Sequence, residues 1–268
     1  MKHLNQYLSA VLVVIGILGL MSYSAWIEPY QIEIVRYDTR KTNESEPIRL
    51  VQVSDLHLSG FGKNELEIAQ QINTLGADVI VLTGDAVDKP EALPWLQSFV
   101  KALGSTPVLH VPGNWEHWSG LSIESLNSTG AQLLLNEKWN LRKGKRKLQL
   151  IGLDDYTAGQ PDLGLLYRND EASSETTVVV QHSPAFFDQA TVIQRMESTR
   201  FDLCLSGHTH GGQVAIFGWA PIKPIGSGRF TAGFYDLSVC SLYVSRGLGT
   251  SVLPIRFGSK PELVVFDI

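Results

Sequence analysis

The sequence predicts an α/β domain that follows one N-terminal transmembrane helix. Residues 8–27 hold no charged side chain, and about 20 apolar residues in a helix span the ~30 Å hydrocarbon core of a bilayer. From Ile48 onward, apolar strand-like runs alternate with segments of helical spacing, which is typical of buried strands covered by helices. Aspartate, asparagine and histidine follow directly after those strands. The ends of the strands are therefore where a polar site is expected.

The composition limits the classes of protein that fit. The chain has 268 residues, of which 44% are hydrophobic and 18% charged, and this excludes collagen, coiled-coil and mainly disordered chains. Its 22 basic and 27 acidic residues give a net charge of −5, so no nucleic-acid partner is predicted. Two cysteines are too few for a disulfide scaffold. Cys204 lies inside an apolar run and is interpreted as a small buried hydrophobe.

The N-terminal apolar run is predicted to be a retained membrane anchor over residues 1–27. Tyr7 precedes the run, Trp26 lies at its end and Tyr30 follows it, at positions where aromatic rings favour the membrane interface. A cleaved secretory signal is the alternative, because Ser22 and Ser24 form a weak small-residue cleavage pattern. The run is longer than the usual signal core, which favours the anchor.

The charges beside this run predict a single-pass protein of the inner (cytoplasmic) membrane, with the following domain in the cytoplasm. Lys2 and the terminal amine precede the run, whereas Arg36, Arg40 and Lys41 follow it closely. Positive residues favour the cytoplasmic side. The chain has no twin-arginine pair before the run, so that export route has no support.

The rest of the chain divides into a connecting segment at residues 28–47 and a domain at residues 48–268. In the connecting segment, 31–37 predicts an exposed or edge strand and 39–47 a polar linker. In the domain, periodicity predicts strands at 48–53, 79–82, 108–111, 177–180, 202–205 and 262–268, and helices at 64–75, 94–103 and 185–196. Residues 132–153 predict a hairpin. Its basic turn at 142–147 is either a solvated tip or a site for phosphate or lipid headgroups.

Side chains able to bind metal follow five of these strands. Loops at the carboxyl ends of neighbouring strands converge on one crevice in an open α/β sheet. The loops therefore bring together Asp55, His57, Asp85, Asn114, His182, His208 and His210. Each residue alone has an ordinary explanation as a cap, a turn residue or a satisfied histidine.

Together these residues predict a metal site, because a buried cluster of two carboxylates and four imidazoles would be costly to desolvate without cations. The mixture of oxygen and nitrogen ligands suits two divalent ions, with Mn favoured and Fe, Zn or Mg as the other candidates. With Asp85 shared, two ions about 3.5–4 Å apart would each have four protein ligands and still admit water and substrate.

The order of these motifs resembles the calcineurin-like metallophosphoesterase superfamily. The match runs over residues 49–213 as Asp-x-His, Gly-Asp, Gly-Asn, His and Gly-His-x-His. The resemblance implies a four-layer sandwich of two packed mixed β-sheets flanked by helices. It also implies one metal on Asp55, His57 and His210, and a second metal on Asn114, His182 and His208. Asp85 would bridge the two ions, and Asn114 would also orient a phosphoryl oxygen.

The chain also resembles the membrane-associated, YkuE-like branch of that superfamily. The resemblance rests on residues 245–251, on residues 211–213 and on the N-terminal apolar run. This branch includes a UDP-2,3-diacylglucosamine pyrophosphatase of lipid A biosynthesis. The resemblance implies cleavage of a nucleotide-linked lipid to UMP and a lipid monophosphate. A broader phosphodiesterase or phosphatase is the alternative, and a metal-binding scaffold with little turnover is a weaker one. The implied partners are a phosphorylated small-molecule or lipid-linked substrate and the membrane; the oligomeric state stays open.

One position departs from the superfamily pattern. Most members have histidine after Gly-Asn, where it lies near the leaving-group oxygen, whereas this chain has Trp115. His117, two residues further on, would replace it as a catalytic residue if the loop turned it inward. Loss of a general acid matters most for an alkoxide leaving group and least for a phosphate. Trp115 therefore favours a phosphoanhydride substrate; simple packing of its ring and a weaker monoesterase are the alternatives.

Three further features bear on the substrate. Residues 214–234 are rich in Gly, Pro, Trp and Phe, and they are either an inter-strand loop capped by its own side chains or an apolar rim for acyl chains or membrane. Arg229 and Arg246 are candidates for a diphosphate or uridine contact. Asp154 and Asp155 end a strand, where capping is the favoured role.

Overall fold

Two six-stranded sheets form the centre of the molecule. The computed structural model describes residues 2–40, 46–167, 175–197 and 201–268. The first sheet holds β1 (Glu33–Asp38), β2 (Arg49–Val53), β3 (Val79–Thr83), β4 (Val108–Val111), β5 (Gln132–Leu133) and β12 (Glu262–Asp267), in the order β1-β12-β2-β3-β4-β5. The second sheet holds β6 (Glu137–Lys143), β7 (Arg146–Gly152), β8 (Thr176–Val180), β9 (Leu203–Ser206), β10 (Gly233–Asp236) and β11 (Ser241–Val244), in the order β10-β11-β9-β8-β7-β6.

Helices cover the outer faces of both sheets. The α-helices are α1 (Lys2–Trp26), α2 (Lys63–Thr74), α3 (Leu93–Ala102), α4 (Asn114–Trp118), α5 (Ile123–Asn127) and α6 (Ala190–Met196). Short 3₁₀ turns lie at Glu28–Tyr30, Pro90–Ala92, Leu163–Leu166, Pro184–Asp188 and His210–Gly212.

Three apolar clusters separate four layers. Side chains of both sheets, such as Leu50 and Val178, pack together in the central cluster. A second cluster joins the first sheet to α2 and α3, and a third joins the second sheet to α6. Both sheets contain parallel and antiparallel pairs. The expected sandwich of two mixed sheets flanked by helices is confirmed.

The parallel strands explain why the site forms at one edge. β2, β3 and β4 run parallel in the first sheet, and β7, β8, β9 and β11 run parallel in the second. Their carboxyl ends therefore meet on the same side of each sheet. Gln52 joins the two sheets there, because its amide donates to Thr83 Oγ1 at 3.1 Å and to the Ser206 carbonyl at 2.9 Å.

The predicted elements differ from the structure at the helix 185–196 and at the strands β10 and β11. The single helix expected at 185–196 is a 3₁₀ turn followed by α6, because the backbone at Gln189 is extended between them. β10 and β11 were not predicted, since both have four residues and lie in a glycine-rich region. The edge strand at 31–37 and the hairpin are present as β1 and β6–β7. Of the predicted linker, residues 41–45 lie outside the described residues.

Cys204 is buried as expected for a small hydrophobe, but its disulfide bond was not predicted. Cys204 is disulfide-bonded to Cys240, and both residues are completely buried in the third apolar cluster. β11 begins at Ser241 and pairs with β9, which contains Cys204. The pairing of these strands, rather than any spacing in the sequence, brings the two cysteines together.

Among the described residues, α1 is long and apolar enough to cross a membrane. Its apolar side chains from Leu8 to Met21 are 50–62% exposed. The end of the helix is attached to the domain: the Ser24 carbonyl accepts from Arg256 N at 2.9 Å, and Glu28 Oε1 accepts from Ser259 N at 2.7 Å. The helix therefore ends against the same segment that lies beside the strand-end loops.

Candidate metal centre

The strand-end loops bring all seven predicted metal-binding side chains to one place. Asp55 and His57 follow β2, Asp85 follows β3, and Asn114 follows β4. His182 follows β8, and His208 and His210 follow β9. All seven residues are buried, with His57 the most exposed at 6%. The prediction that these loops converge is therefore met in the geometry.

The carboxylates and imidazoles form two groups that could each hold a metal ion. The first group is Asp55, His57 and His210, and the second is Asp85, His182 and His208. Within each group, the potential ligand atoms lie within 4.8 Å of one another.

Asp85 stands between the two groups. Its Oδ2 lies 3.0 Å from Nε2 of His182 and 3.9 Å from Nε2 of His57. Its Oδ1 accepts a hydrogen bond from Trp115 N at 2.9 Å. One carboxylate oxygen is therefore fixed by the backbone, and the other faces a nitrogen of each group.

Hydrogen bonds to the backbone determine which nitrogens of the second group carry protons. His182 Nδ1 lies 2.8 Å from the Thr83 carbonyl, and His208 Nε2 lies 2.7 Å from the Ile225 carbonyl. Each of these nitrogens donates, because a carbonyl only accepts. The remaining nitrogens, His182 Nε2 and His208 Nδ1, face each other at 3.2 Å, and in the neutral form of each imidazole, the form that binds metal, they have lone pairs. These two nitrogens and Asp85 Oδ2 therefore place three electron-pair donors close together, and a cation bound between them would be coordinated by all three.

Asn114 has an unsatisfied oxygen at the same place. Its Oδ1 is buried and has no hydrogen-bond partner among the described residues, and such atoms are uncommon in folded proteins. An amide oxygen is a suitable ligand for a divalent ion. The donor set and this orphaned atom therefore fit two divalent ions.

The pKa values separate the imidazoles into two classes. Burial, together with the neighbouring His182, lowers the pKa of His208 to about 4. Burial, with His57 and Arg256 nearby, also lowers the pKa of His210. Burial also opposes protonation of His57 and His182, but the hydrogen bond to Asp88 raises the pKa of His57, and Asp85 raises the pKa of His182. His208 and His210, whose pKa values are lowered, are therefore neutral at pH 7, and the neutral imidazole is the form that binds metal.

The backbone around these residues is strained. Five of the seven lie at positive φ, between 44° and 71°: Asp55, His57, Asp85, His208 and His210. Non-glycine residues rarely adopt this region, and such strain is concentrated at functional sites. Gly84 is required for a further reason, because its φ is +91° and a Cβ there would overlap the His182 ring.

Three residues that support the site were missed in the sequence. Asp88 Oδ1 lies 2.5 Å from His57 Nδ1. The buried Glu116 carboxylate accepts from the backbone of Asp85 and Gly113, so it ties two of the loops together. Arg256 is fully buried, and its Nη2 lies 3.3 Å from His210 Nδ1. Only Glu116 had a local signal, since it stands three residues after Gly113 as the acidic residue of a capping box.

His117 lies apart from the two groups. It is on α4, and its Nε2 is 2.6 Å from Asp154 Oδ1. Trp115, by contrast, lines the cavity above the site, and its ring meets His57 edge-on with centroids 6.1 Å apart. The catalytic role expected for His117 therefore stays a prediction, and the ring beside the site is that of Trp115.

The other side chains that were candidates for the site are paired with neighbouring groups of the protein. Arg229 pairs with Asp188 at 2.9 Å, and Arg246 pairs with Glu262 at 2.6 Å. Asp154 accepts from the backbone of Asp155 and Gln160, so it caps a loop as expected.

A cavity of about 520 Å³ opens over the two groups. Asp85, Asn114, His208 and His210 contribute to its wall. Much of the remaining wall is apolar, and it includes Trp115, Trp118, Val214, Pro221, Ile222, Val252, Leu253 and Ile255. The cavity therefore combines the polar side chains of the two groups with a large apolar wall, as small-molecule sites commonly do.

Comparisons with known proteins agree on one family. A model of the calcineurin-like phosphoesterase family matches residues 48–212, which include all seven site residues. The chain is 32% identical over 269 residues to the uncharacterized metallophosphoesterase YkuE of Bacillus subtilis, and the match covers 93% of this chain and 90% of that protein. It is 27% identical over 283 residues to the phosphodiesterase YaeI of Escherichia coli, with 98% of each chain covered. Among solved structures, a dimetal phosphatase from Danio rerio matches with a TM-score of 0.45 and 11% identity, over 76% of this chain and 88% of that one.

Proposed function

The chain belongs to the calcineurin-like phosphoesterase family and is a metallophosphoesterase, and we propose that it hydrolyses the phosphoanhydride of a nucleotide-linked lipid. The family is dinuclear and metal-dependent. In this proposal Asp55, His57 and His210 hold one ion, and Asn114, His182 and His208 hold the other. Asp85 is the shared ligand, and the observation that carries the proposal is that its Oδ2 faces a nitrogen of both groups.

Two bound ions would supply acidified water and positive charge against the phosphoryl oxygens. The protein's own groups would hold that arrangement. Trp115 N, which donates to Asp85 Oδ1, keeps the shared carboxylate from rotating. The side chain of Asn114, whose Oδ1 is otherwise unpartnered, would orient a phosphoryl oxygen. Manganese is the ion we propose, because the ligands combine carboxylate and amide oxygen with imidazole nitrogen.

Trp115 supports a phosphoanhydride as the bond that is cleaved. The side chain of Trp115 lines the cavity and cannot donate a proton to a leaving alkoxide as an imidazole would. A phosphate leaving group needs no such help. The apolar wall beside the site supports an acylated substrate, so UDP-2,3-diacylglucosamine, cleaved to UMP and a lipid monophosphate, is our specific candidate.

We also propose that α1 is a retained anchor. Cleavage after Ser24, the position to which the Ser22 and Ser24 pattern points, would remove the backbone hydrogen bond between Ser24 and Arg256. The helix is continuous with a segment that is buried at Glu28 and paired to the sheet through β1. In the predicted orientation, the catalytic domain faces the cytoplasm, where nucleotide-linked substrates are made.

One observation favours a second candidate, a phosphodiesterase that acts on an amphiphile outside the cytoplasm. The Cys204–Cys240 disulfide is typical of oxidising compartments. The similarity to a protein named phosphodiesterase YaeI agrees with this alternative. A reporter fused after Ile268 separates the two candidates, because activity of a reporter that works only outside the cytoplasm would exclude the nucleotide-linked substrate.

The function is tested by hydrolysis with detergent-solubilised full-length protein and added Mn. UDP-2,3-diacylglucosamine is compared with a bis-aryl phosphodiester and an aryl monophosphate. We expect Mn-dependent release of UMP to exceed hydrolysis of both aryl esters, and Asp85→Ala to be inactive on all three. Hydrolysis of the diester alone would support the second candidate, and no hydrolysis of any substrate would refute both.

A further inference from the structure

Large apolar side chains surround the mouth of the cavity and point into solvent. Among the described residues after α1, the four most exposed large apolar side chains are Phe217 (106%), Ile225 (92%), Val252 (89%) and Ile222 (80%). Together with their exposed neighbours they form what we call the apolar rim: Trp118, Ile216, Phe217, Trp219, Ile222, Ile225, Val252 and Leu253. Single exposed apolar residues need no explanation, but a contiguous patch marks a contact with another apolar body.

The rim is a built surface that joins two segments of the chain. Gln213 Nε2 donates to the Leu253 carbonyl at 2.7 Å, and Gln213 Oε1 accepts from Ser251 N at 2.9 Å. Val214 forms a backbone bridge with Phe257. These contacts hold residues 213–217 beside residues 251–257, so the apolar tips of both segments are presented together.

Two rim residues are held in a backbone conformation that their side chains disfavour. Phe217 has a φ of 52° and Val252 a φ of 63°. A β-branched residue such as valine is a marked outlier in this region. Both side chains are almost fully exposed, so burial within the domain does not compensate for this strain. A contact between these side chains and an apolar body outside the domain would compensate for it.

The rim lies next to the end of α1. Arg256 N donates to the Ser24 carbonyl at 2.9 Å, and Leu253 is three residues from Arg256, so the chain keeps its Cα within ~11 Å of the residue that contacts the helix end. Trp26 and Tyr30 at the same end are 72% and 60% exposed. Exposed aromatic residues at the end of a membrane helix lie at the headgroup level. The helix end and the rim are therefore at similar depth.

We propose that the apolar rim rests in the interface of the lipid bilayer that α1 enters, so that the cavity opens toward the headgroups. The substrate would then reach the metal centre from the membrane, with its phosphate in the cavity and its apolar chains beside Val252 and Leu253. The statement about the substrate rests on the proposed function. The contact between the rim and lipid does not, because it follows from exposure, strain and the position of α1.

The depth of the rim is tested with spin labels on the full-length protein in vesicles of phosphatidylcholine and phosphatidylglycerol. One label replaces Phe217 as F217C. The control, K145C, is on the exposed turn between β6 and β7, at the opposite end of β7 from the metal centre. Labelling is specific, because Cys204 and Cys240 are bonded and buried. We expect the label at 217 to collide with oxygen more than with a water-soluble nickel chelate, and the label at 145 to show the reverse.

Two results would overturn the proposal. Equal nickel accessibility at 217 and 145 would mean that the rim stays in water. Spin–spin broadening between labels at 217 would mean that a second copy of the chain, rather than lipid, covers the rim. Neither measurement requires turnover, so the proposal is decided even if the enzyme acts on none of the substrates above.

The route of the substrate is tested with a rim variant. Phe217→Ser/Trp219→Ser changes two residues outside the cavity wall, and Ile123→Ser/Tyr167→Ser is the matched control at exposed positions that are not part of the rim. We expect the rim variant to lose ~10-fold or more in kcat/KM on UDP-2,3-diacylglucosamine embedded in vesicles, because two large apolar contacts with lipid are removed. Its rate on a water-soluble bis-aryl phosphodiester should match the control. Equal losses on both substrates, or none on the embedded one, would refute entry from the membrane.

Discussion

His57 and Asp88 form a hydrogen-bonded pair behind the first metal-binding group, with Nδ1 of His57 2.5 Å from Oδ1 of Asp88. Nδ1 therefore carries a proton, and in the neutral imidazole Nε2 has a free lone pair, 3.1 Å from Nε2 of His210. Asp88 stands three residues after Asp85 in the same loop. One loop thus supplies both the shared carboxylate and the carboxylate that orients a neighbouring imidazole.

Asp88→Ala should weaken metal binding at the first group by about 10–100-fold, the usual effect of losing a carboxylate that orients a metal-binding histidine. The measurement is metal titration of the purified protein, with bound ions counted by mass spectrometry. Asp188→Ala is the control, since Asp188 is a partly exposed carboxylate paired only with Arg229. Unchanged affinity in Asp88→Ala would show that the hydrogen bond to His57 has no orienting role.

Removal of metal should lower the melting temperature of the wild-type protein. An ion that binds only the folded state adds about 2.7 kcal/mol at 100 times its dissociation constant. Asp85→Ala should abolish this response, because Asp85 faces both groups, whereas Glu67→Ala on exposed α2 should keep it. The measurement is thermal unfolding with chelator and with added Mn. A full Mn response in Asp85→Ala would contradict the shared role of this carboxylate.

The seven site residues could be predicted because each lies directly after a strand. Strand periodicity located the ends of β2, β3, β4, β8 and β9. Because the carboxyl ends of parallel strands converge, the loops after these strands were expected to meet. Asp88 and Arg256 could not be found in this way, since they act through side-chain contacts that depend on how loops pack. The disulfide was missed for the same reason: Cys204 and Cys240 meet only when β11 pairs with β9.

The apolar rim shows a different limit of the sequence. The richness of residues 214–234 in aromatic and glycine residues fitted equally well a loop that packs on itself and a surface that faces outward. The structure distinguishes them, because Phe230 is buried while Phe217 and Trp219 are exposed. Val252 and Leu253 belong to the same surface, and nothing in the local pattern around them indicated it.

Trp115→His should change the preference for the leaving group. A histidine at this position would stand beside the site and could protonate an alkoxide or aryloxide as it leaves. We expect hydrolysis of an aryl monophosphate to rise about 10- to 100-fold relative to a pyrophosphate. The measurement is the ratio of kcat/KM for the two substrates with Mn present. Trp118→His, further out on the same helix, is the control, and an unchanged ratio in Trp115→His would refute the argument from the leaving group.

Loss of the disulfide should destabilise the domain by about 3–4 kcal/mol, as expected for a cross-link over a sequence separation of 36 residues. Cys204→Ala/Cys240→Ala should therefore unfold at lower urea concentration than the oxidised wild type. Reduction of the wild type should produce a similar shift, and the double variant should not respond to reductant. If reductant leaves wild-type unfolding unchanged, the two cysteines are not bonded in the protein under study.

The pair of His117 and Asp154 should make stability depend on pH. The hydrogen bond to Asp154, at 2.6 Å, raises the pKa of His117, so this histidine stabilises the fold fully below its ordinary pKa of about 6.5. Burial by itself would raise the pKa of Asp154, but the hydrogen bond to His117 outweighs burial and lowers this pKa. The carboxylate therefore contributes above about pH 4.

We therefore expect His117→Gln to be most destabilising between about pH 4 and 6.5. Its effect there should be about 1 kcal/mol at most, because the pair is partly open to solvent. As pH rises through the raised pKa of His117, wild-type His117 becomes neutral and the difference from the variant should shrink. The measurement is urea unfolding of both proteins from pH 5 to 9, in which groups common to both cancel. A constant difference over that range would mean that His117 is not charged in the fold at pH 5, and that its contact with Asp154 is an ordinary neutral hydrogen bond.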